Sequence, residues 1–213
     1  LKYAIRSIEM YAPWVRRIYI LTNCAPPSWF RGTSRHVWVD HAEVIDKQYR
    51  PTFNSHAIET FLHKIPGLAR NLIYMNDDGR RFKECSPTVL FAYGGRSISW
   101  FDPYGTISFY RQYPDADDMA EWQHAAVNAA KMLEGRFGIF PVRLHQHVPH
   151  VLRRDVYEEM ENEYAPDMHR VRQNKFRDAT DISFTSFFYH HYANLTGSAV
   201  EATSKSYIVR SSN

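Results

Sequence analysis

The apolar positions of this chain fall into two rhythms that alternate along its first third. Leu1, Ala4, Ile5, Ile8 and Ala12 recur at helical spacing, with Lys2, Arg6 and Glu9 on other faces, which predicts an amphipathic helix stopped by Pro13. Ile18-Tyr19-Ile20-Leu21, closed by Thr22-Asn23, predicts a strand, and Val37-Trp38-Val39 before Asp40 predicts a second. Pro51-Thr52-Phe53-Asn54-Ser55 reads as a loop ending in a helix cap at Asn54 or Ser55. Ile58, Phe61, Leu62 and Ile65 continue that helix, and Pro66-Gly67 stops it. Leu72-Ile73-Tyr74-Met75 is too short for an ordinary helix and predicts a buried strand ending abruptly on Asn76-Asp77-Asp78. Helix, strand, helix, strand in this order predicts an α/β fold: a mainly parallel sheet flanked by helices.

Beyond Asp78 the pattern changes. Residues 80–111 are rich in aromatics, Gly and Ser, with Val89-Leu90-Phe91-Ala92-Tyr93 and Ile107-Ser108-Phe109-Tyr110 as strand candidates. Residues 115–135 predict a helix with Met119, Trp122, Ala126, Ala129, Ala130 and Leu133 on its apolar side. Leu152, Val156, Met160 and Tyr164 form a further helical stripe ended by Pro166. A last helix starts near Thr180 or Asp181 and carries Phe184, Phe187, Phe188, His191 and Leu195, with Gly197 as C-cap. The expected organisation is one catalytic-type domain over 1–197, sheet-rich in 1–112 and helical in 113–197, followed by a polar tail over 198–213 that frays.

Composition narrows the function classes. A hydrophobic fraction of 44% and an aromatic fraction of 15% require a packed globule. The net charge of +3 gives no basic stripe, so a nucleic-acid partner is not expected. Cys24 and Cys85 have no metal-ligand spacing and make no disulfide framework. No apolar run reaches transmembrane length, and no signal peptide is evident. The chain opens without Met in a helical pattern, which suggests a piece of a longer protein.

The polar residues with chemical potential cluster just outside these elements. Asp77 and Asp78 at the C-terminal end of a strand suit a hard divalent cation carrying phosphate oxygens; Asn-Asp-Asp-Gly is equally good turn chemistry. His145, His147 and His150 precede a helix, where they serve as proton acceptor or phosphate contact, as loop hydrogen bonds, or less readily as zinc ligands. Arg172, Lys175 and Arg177 precede the last helix and offer forks for phosphate oxygens, or ion-pair locally with Asp178 and Asp181. His56, Glu59 and His63 share one face of the helix after Ser55, lining a site or facing solvent.

With these residues in hand, a family resemblance is apparent. Residues Leu1–Ile8 running into Tyr11-Ala12-Pro13-Trp14-Val15-Arg16, then Ile18–Asn23, Pro51–Ser55 with Ala57-Ile58-Glu59, His63–Leu68 and Tyr74–Asp78 resemble the main signature block of the Stealth family. His147-Val148-Pro149-His150, Lys175-Phe176-Arg177 and Asp181 with the aromatic helix after it resemble a later block. The family's first strand block and its short final block have no counterpart here, and Gly79-Arg80-Arg81-Phe82 departs from the segment that usually follows the acids. The resemblance implies a glycosyltransferase-A-like sheet and transfer of a hexose- or N-acetylhexosamine-1-phosphate from a UDP-sugar to a glycan hydroxyl, releasing UMP. It implies Mg²⁺ or Mn²⁺ held by Asp77 and Asp78, or one of the two taking the acceptor proton. His147 or His150 would be base or phosphate ligand, and Arg177 and Arg6 phosphate contacts. Asn76, His63, Glu59, Lys175 and Asp181 would border the substrate. Capsule or exopolysaccharide synthesis at the cytoplasmic face of a bacterial membrane, with peripheral association, is the expected setting; a eukaryotic source would place it in the Golgi lumen. Two other readings are a metal-dependent glycosyltransferase, which would release UDP, and a non-catalytic nucleotide-sugar or glycan-binding module.

Overall fold

The opening rhythm becomes secondary structure where its spacing places it. The computed structural model describes residues 1–76, 84–113 and 119–203. Helix α1 (Lys2–Tyr11) buries Ala4, Ile5 and Ser7. Strand β1 (Ile18–Thr22) pairs in parallel with β2 (His36–Asp40), Ile18 opposite His36. Asp40 caps α2 (His41–Val44): its carboxylate accepts from the Ala42 amide at 2.7 Å while Glu43 accepts from the Asp40 amide at 2.8 Å. Asn54 caps α3 (Ser55–Glu59), accepting from the His56 amide at 3.0 Å. That helix is shorter than the apolar spacing predicts. The Thr60 hydroxyl donates back to the Ala57 carbonyl at 2.7 Å, a competing bond, and the chain tightens into a 3₁₀ turn at Leu62–Lys64. Phe61, Leu62 and Ile65 are still buried. Gly67, at φ +74°, supplies the left-handed turn that leads into β3 (Asn71–Tyr74).

The aromatic-rich middle departs from the expected strands. Val89–Tyr93 is not a strand: it joins 3₁₀ turns at Pro87–Val89 and Tyr93–Gly95, with Pro87 pre-setting the first. The strand here is β4 (Ser97–Thr106), and Ile107–Tyr110 leads instead into the short helix α4 (Ser108–Gln112). Two of the inward positions of β4 are the buried Ser97 and Ser99, so its alternation does not read as apolar and polar. Helix α5 (Glu121–Phe137) buries Ala125, Ala126, Ala129, Ala130 and Leu133, whereas Trp122 stands exposed in its first turn. Strands β5 (Arg143–His145) and β6 (His150–Arg153) lead into α6 (Arg154–Glu163), so Leu152 belongs to a strand and not to the helical stripe. Pro166 opens α7 (Ala165–Gln173), because a first-turn residue needs no amide donor. A π-helical turn at Phe184–Phe188 runs into α8 (Tyr189–Leu195), and Gly197, at φ +74°, follows its end. The segment after Ser198, expected to fray, forms β7 (Ala199–Ala202).

The chain is thus mixed α/β, but its strands do not make a mainly parallel sheet. Among the described residues there are three small sheets: β1-β2, β3-β6 and β5-β4-β7. β3 and β6 run antiparallel, as do β4 and β5, while β4 and β7 are parallel. No local pattern reveals that β3 takes its partner from beyond α5. The largest core cluster joins α5, α6 and α7 to the aromatic run Phe184–Tyr192. No helix of the described residues is long and apolar enough to cross a membrane.

Candidate functional site

Antiparallel pairing of β3 with β6 decides what meets at the end of β3. Tyr74 lies opposite His150, and their rings stack at 6.1 Å. The Tyr74 hydroxyl is 3.1 Å from Glu59 Oε1 and 2.9 Å from Asn76 Oδ1, so it links α3 to the residue just ahead of the two acids. Asp77 and Asp78 themselves lie outside the described residues. Glu59 is buried, and among the described residues its Oε2 meets no hydrogen-bond partner. Burial pushes its carboxyl up to about 7, against the opposing pull of the Thr185 and Tyr74 hydroxyls and the Arg177 charge. One turn away on α3, His56 is buried, and neither ring nitrogen has a hydrogen-bond partner among the described residues. Burial lowers its pKa; the Asp181 carboxylate opposes this and Arg177 adds to it.

Arg177 reaches this group because two loops clasp each other. The Phe53 amide donates to the Lys175 carbonyl at 2.8 Å, and the exposed Phe53 and Phe176 rings stack at 5.4 Å. Arg177 is exposed, with Nη2 donating to Ser55 Oγ at 3.1 Å. Asp181 holds the clasp from beneath. Fully buried, it accepts from Asn54 at 2.8 Å, Asn174 at 2.7 Å and the Asp178 amide at 3.0 Å. It therefore faces the protein's own amides. Lys175 contributes its carbonyl to the clasp and stands half-buried.

His63 turns elsewhere. Its Nε2 pairs with Glu161 at 2.7 Å, and Glu161 also pairs with Lys64 at 2.9 Å and Arg172 at 2.7 Å. Burial alone would raise Glu161, but the hydrogen bonds from His63, Lys64 and Arg172 outweigh it and hold the carboxyl far below its usual range. Arg6 stands on the exposed face of α1, and no described contact ties it to the group around Tyr74. His147 is also exposed, outside that group.

On the other side of Tyr74, His150 belongs to an imidazole chain that the sequence pattern does not show. His150 Nδ1 is 2.9 Å from His190 Nε2, and His190 Nδ1 is 3.0 Å from Ser99 Oγ. His145 stacks on His190 with centroids 3.7 Å apart, accepting from the Trp100 amide at 3.2 Å through Nε2 and donating from Nδ1 to the Gln146 carbonyl at 2.8 Å. Burial lowers all of them, His145 to about 4 and His150 and His190 well below the ordinary value, with neighbouring imidazoles adding to the effect for the last two. They are neutral at pH 7. The nitrogens of His145, His150 and His190 lie within 4.8 Å of one another. Stacked rings keep their lone pairs parallel, and both nitrogens of His145 and of His190 are already engaged, which does not suit a zinc ion. The only sequence signal for His190 is a pair of polar residues, His190-His191, inside an otherwise aromatic helix.

The description "Stealth protein CR2, conserved region 2" matches residues 1–98, and "Stealth protein CR3, conserved region 3" matches residues 146–194; together they cover more than half of the chain. The first region contains Glu59, Tyr74, Asn76 and the two acids, and the second contains His150, Arg177, Asp181 and His190. The chain is 37% identical over 211 residues to the capsular polysaccharide phosphotransferase SacB of Neisseria meningitidis serogroup A, covering 99% of this chain and 38% of that protein. It is 40% identical over 221 residues to an exopolysaccharide phosphotransferase of Nocardia farcinica, covering 98% and 41%. It is 37% identical over 203 residues to the exopolysaccharide phosphotransferase CpsY of Mycobacterium tuberculosis, covering 94% and 37%. The chain thus spans about two fifths of the length of these relatives.

Proposed function

The chain belongs to the Stealth family, and from that premise we propose that the intact protein transfers a sugar-1-phosphate from a UDP-sugar to a glycan hydroxyl in capsule or exopolysaccharide synthesis. The observation that carries this reading is the meeting, at the end of β3, of residues from both matched regions. Asn76, Tyr74 and Glu59 from the first stand beside His150 from the second, with Arg177 at Ser55.

The reaction joins an acceptor oxygen to the β-phosphorus of the donor and breaks the bond from that phosphorus to the oxygen bridging to UMP. Phosphoryl transfer asks for alignment and charge neutralisation more than for covalent help. In this reading His150 Nε2 takes the acceptor proton. A proton on Nδ1, held by His190 Nε2, leaves the Nε2 lone pair to accept, while the burial that lowers the pKa makes the ring a weak base. His190 would act through His150 as a positioning residue, fixed in turn by Ser99. Arg177 would meet the donor phosphates, since its guanidinium is exposed and anchored to Ser55 by one nitrogen.

An oxygen-ligating cation fits the surroundings of Asn76 better than a nitrogen-ligating one. The side chains that border Asn76 end in oxygen, while the imidazoles nearby are engaged with one another. Asp77 and Asp78 would hold Mg²⁺ or Mn²⁺, whose charge would offset that of the diphosphate. We further propose that β1, β2 and β3 belong to a glycosyltransferase-A-like sheet, and that the protein works at the cytoplasmic membrane surface.

The nucleotide product tests the reading. Full-length protein incubated with UDP-sugars, Mg²⁺ and a glycan acceptor should yield UMP with the transferred sugar phosphate. Production of UDP would mean glycosyl transfer and overturn it.

A further inference from the structure

The clasp between the two loops holds an aromatic surface out in solvent beside Arg177. Phe53 is 62% exposed and Phe176 68%, and their rings lie 14° from parallel. Folding ordinarily hides such side chains, but here the backbone fixes them outside. The Phe53 amide is tied to the Lys175 carbonyl, and Asn54 Nδ2 donates to the Phe176 carbonyl at 3.1 Å. That same Nδ2 donates to the fully buried Asp181, so both rings stand on loops anchored to the core. Little freedom remains for a ligand to remove, which favours binding.

Cations flank the rings. Lys175 and Arg177 stand on either side of Phe176 in the chain, and among the described residues neither forms an ion pair. The neighbouring Asp178 turns its carboxylate to Thr180, accepting from the amide at 2.8 Å and the hydroxyl at 2.6 Å. The surface is thus apolar, rigid and locally cationic. The face of an aromatic ring carries negative charge density, which the C–H face of a pyranose meets with weakly positive hydrogens. A cation on each side of the ring suits a sugar with phosphate on each side of it.

We propose that Phe53 and Phe176 form the acceptor subsite, stacking against a pyranose of an anionic glycan. Arg177 meets the phosphate being transferred at one end of that sugar, and Lys175 meets an existing phosphodiester at the other. This rests on the sugar-1-phosphate reading, because each such transfer leaves a phosphodiester and an acceptor extended by earlier transfers carries phosphate between its sugars. The acceptor hydroxyl must come within about 3–3.5 Å of the donor phosphorus, so its sugar belongs beside the arginine that holds the phosphates. A nucleoside fits less well, since it carries phosphate at one end only and its base lies a ribose away.

The test is isothermal titration calorimetry of the full-length protein without turnover. The probes are an N-acetylglucosamine tetramer joined by phosphodiesters, the neutral tetramer joined by glycosidic bonds, and UDP. The parent should bind the phosphodiester tetramer at least ~10-fold more tightly than the neutral one. Phe53→Ala and Phe176→Ala should each weaken the phosphodiester tetramer ~10-fold and leave UDP affinity within about twofold. Lys175→Gln keeps the carbonyl that closes the clasp, and should erase most of the preference for the charged tetramer. Equal loss of UDP binding would assign the rings to the nucleotide or to folding, and unchanged tetramer binding would assign them to another partner. Either result would overturn the proposal, as would a parent that binds neither tetramer. None of these readings depends on which donor bond breaks, which the nucleotide product decides separately.

Discussion

Replacing Glu59 by Gln isolates the energetic consequence of burying a carboxyl beside the site. Glu59 rises from an ordinary value of 4.5 to about 7, mainly because burial penalises its charge. Between those two values the folded carboxyl keeps a proton that the unfolded one has released, so folding is favoured by acid, and the advantage is lost as pH climbs through 7. A shift of this size corresponds to about 3 kcal/mol at pH 8 and to less than about 1 kcal/mol at pH 5. The amide of Glu59→Gln has nearly the same shape, can accept from Tyr74 as the carboxyl does, and does not titrate. The buried imidazoles titrate in the same window with the opposite sign, since lowered pKa values make acid destabilising. They are common to both proteins and cancel in the comparison. Urea denaturation of parent and variant, followed by tryptophan fluorescence, should show the variant gaining about 2–3 kcal/mol on the parent between pH 5 and pH 8. An equal difference at the two pH values would refute the reasoning, because it would mean that the Glu59 carboxyl is not raised.

Three further substitutions separate chemistry from support. Asp78→Ala should abolish turnover with folding intact; near-normal rates would remove the acid from the proposed site. His190→Ala should lower kcat roughly 10- to 100-fold, with KM within a few-fold and partial recovery in His190→Asn; a change confined to thermal stability would make His190 structural only. Asp181→Ala should destabilise the protein by at least ~3 kcal/mol, since the buried amides of Asn54 and Asn174 lose a charged acceptor; denaturation detects this, and a normal midpoint with a raised KM would instead make Asp181 a substrate contact.

The elements read most directly from the sequence are those whose partners are close along the chain. Helix α1, strands β1 and β2 and the Asn54 cap follow from spacing and cap chemistry within a few residues. β4 was hidden because its inward Ser97 and Ser99 are satisfied by the Tyr189 hydroxyl and His190, residues about ninety positions away. The antiparallel pairing of β3 with β6 was hidden for the same reason, and it is what places His150 on Tyr74. Within the His145–His150 stretch, residue types alone could not separate the exposed His147 from the buried His150. Residue type alone marks Asp181 and His63 as polar groups near the site, while the partners that hold them, Asn54 and Glu161, lie about a hundred positions away.

The central claim concerns which bond of the donor breaks. A UDP-sugar carrying ¹⁸O in the oxygen between the sugar and the β-phosphorus should be turned over by the full-length protein, and the products examined by mass spectrometry. Sugar-1-phosphate transfer leaves that oxygen between the sugar and phosphorus, so the label should appear in the phosphodiester product and the UMP should be unlabelled. Label recovered in UDP, with an unlabelled glycoside, would show that the sugar–oxygen bond had broken and would contradict the account.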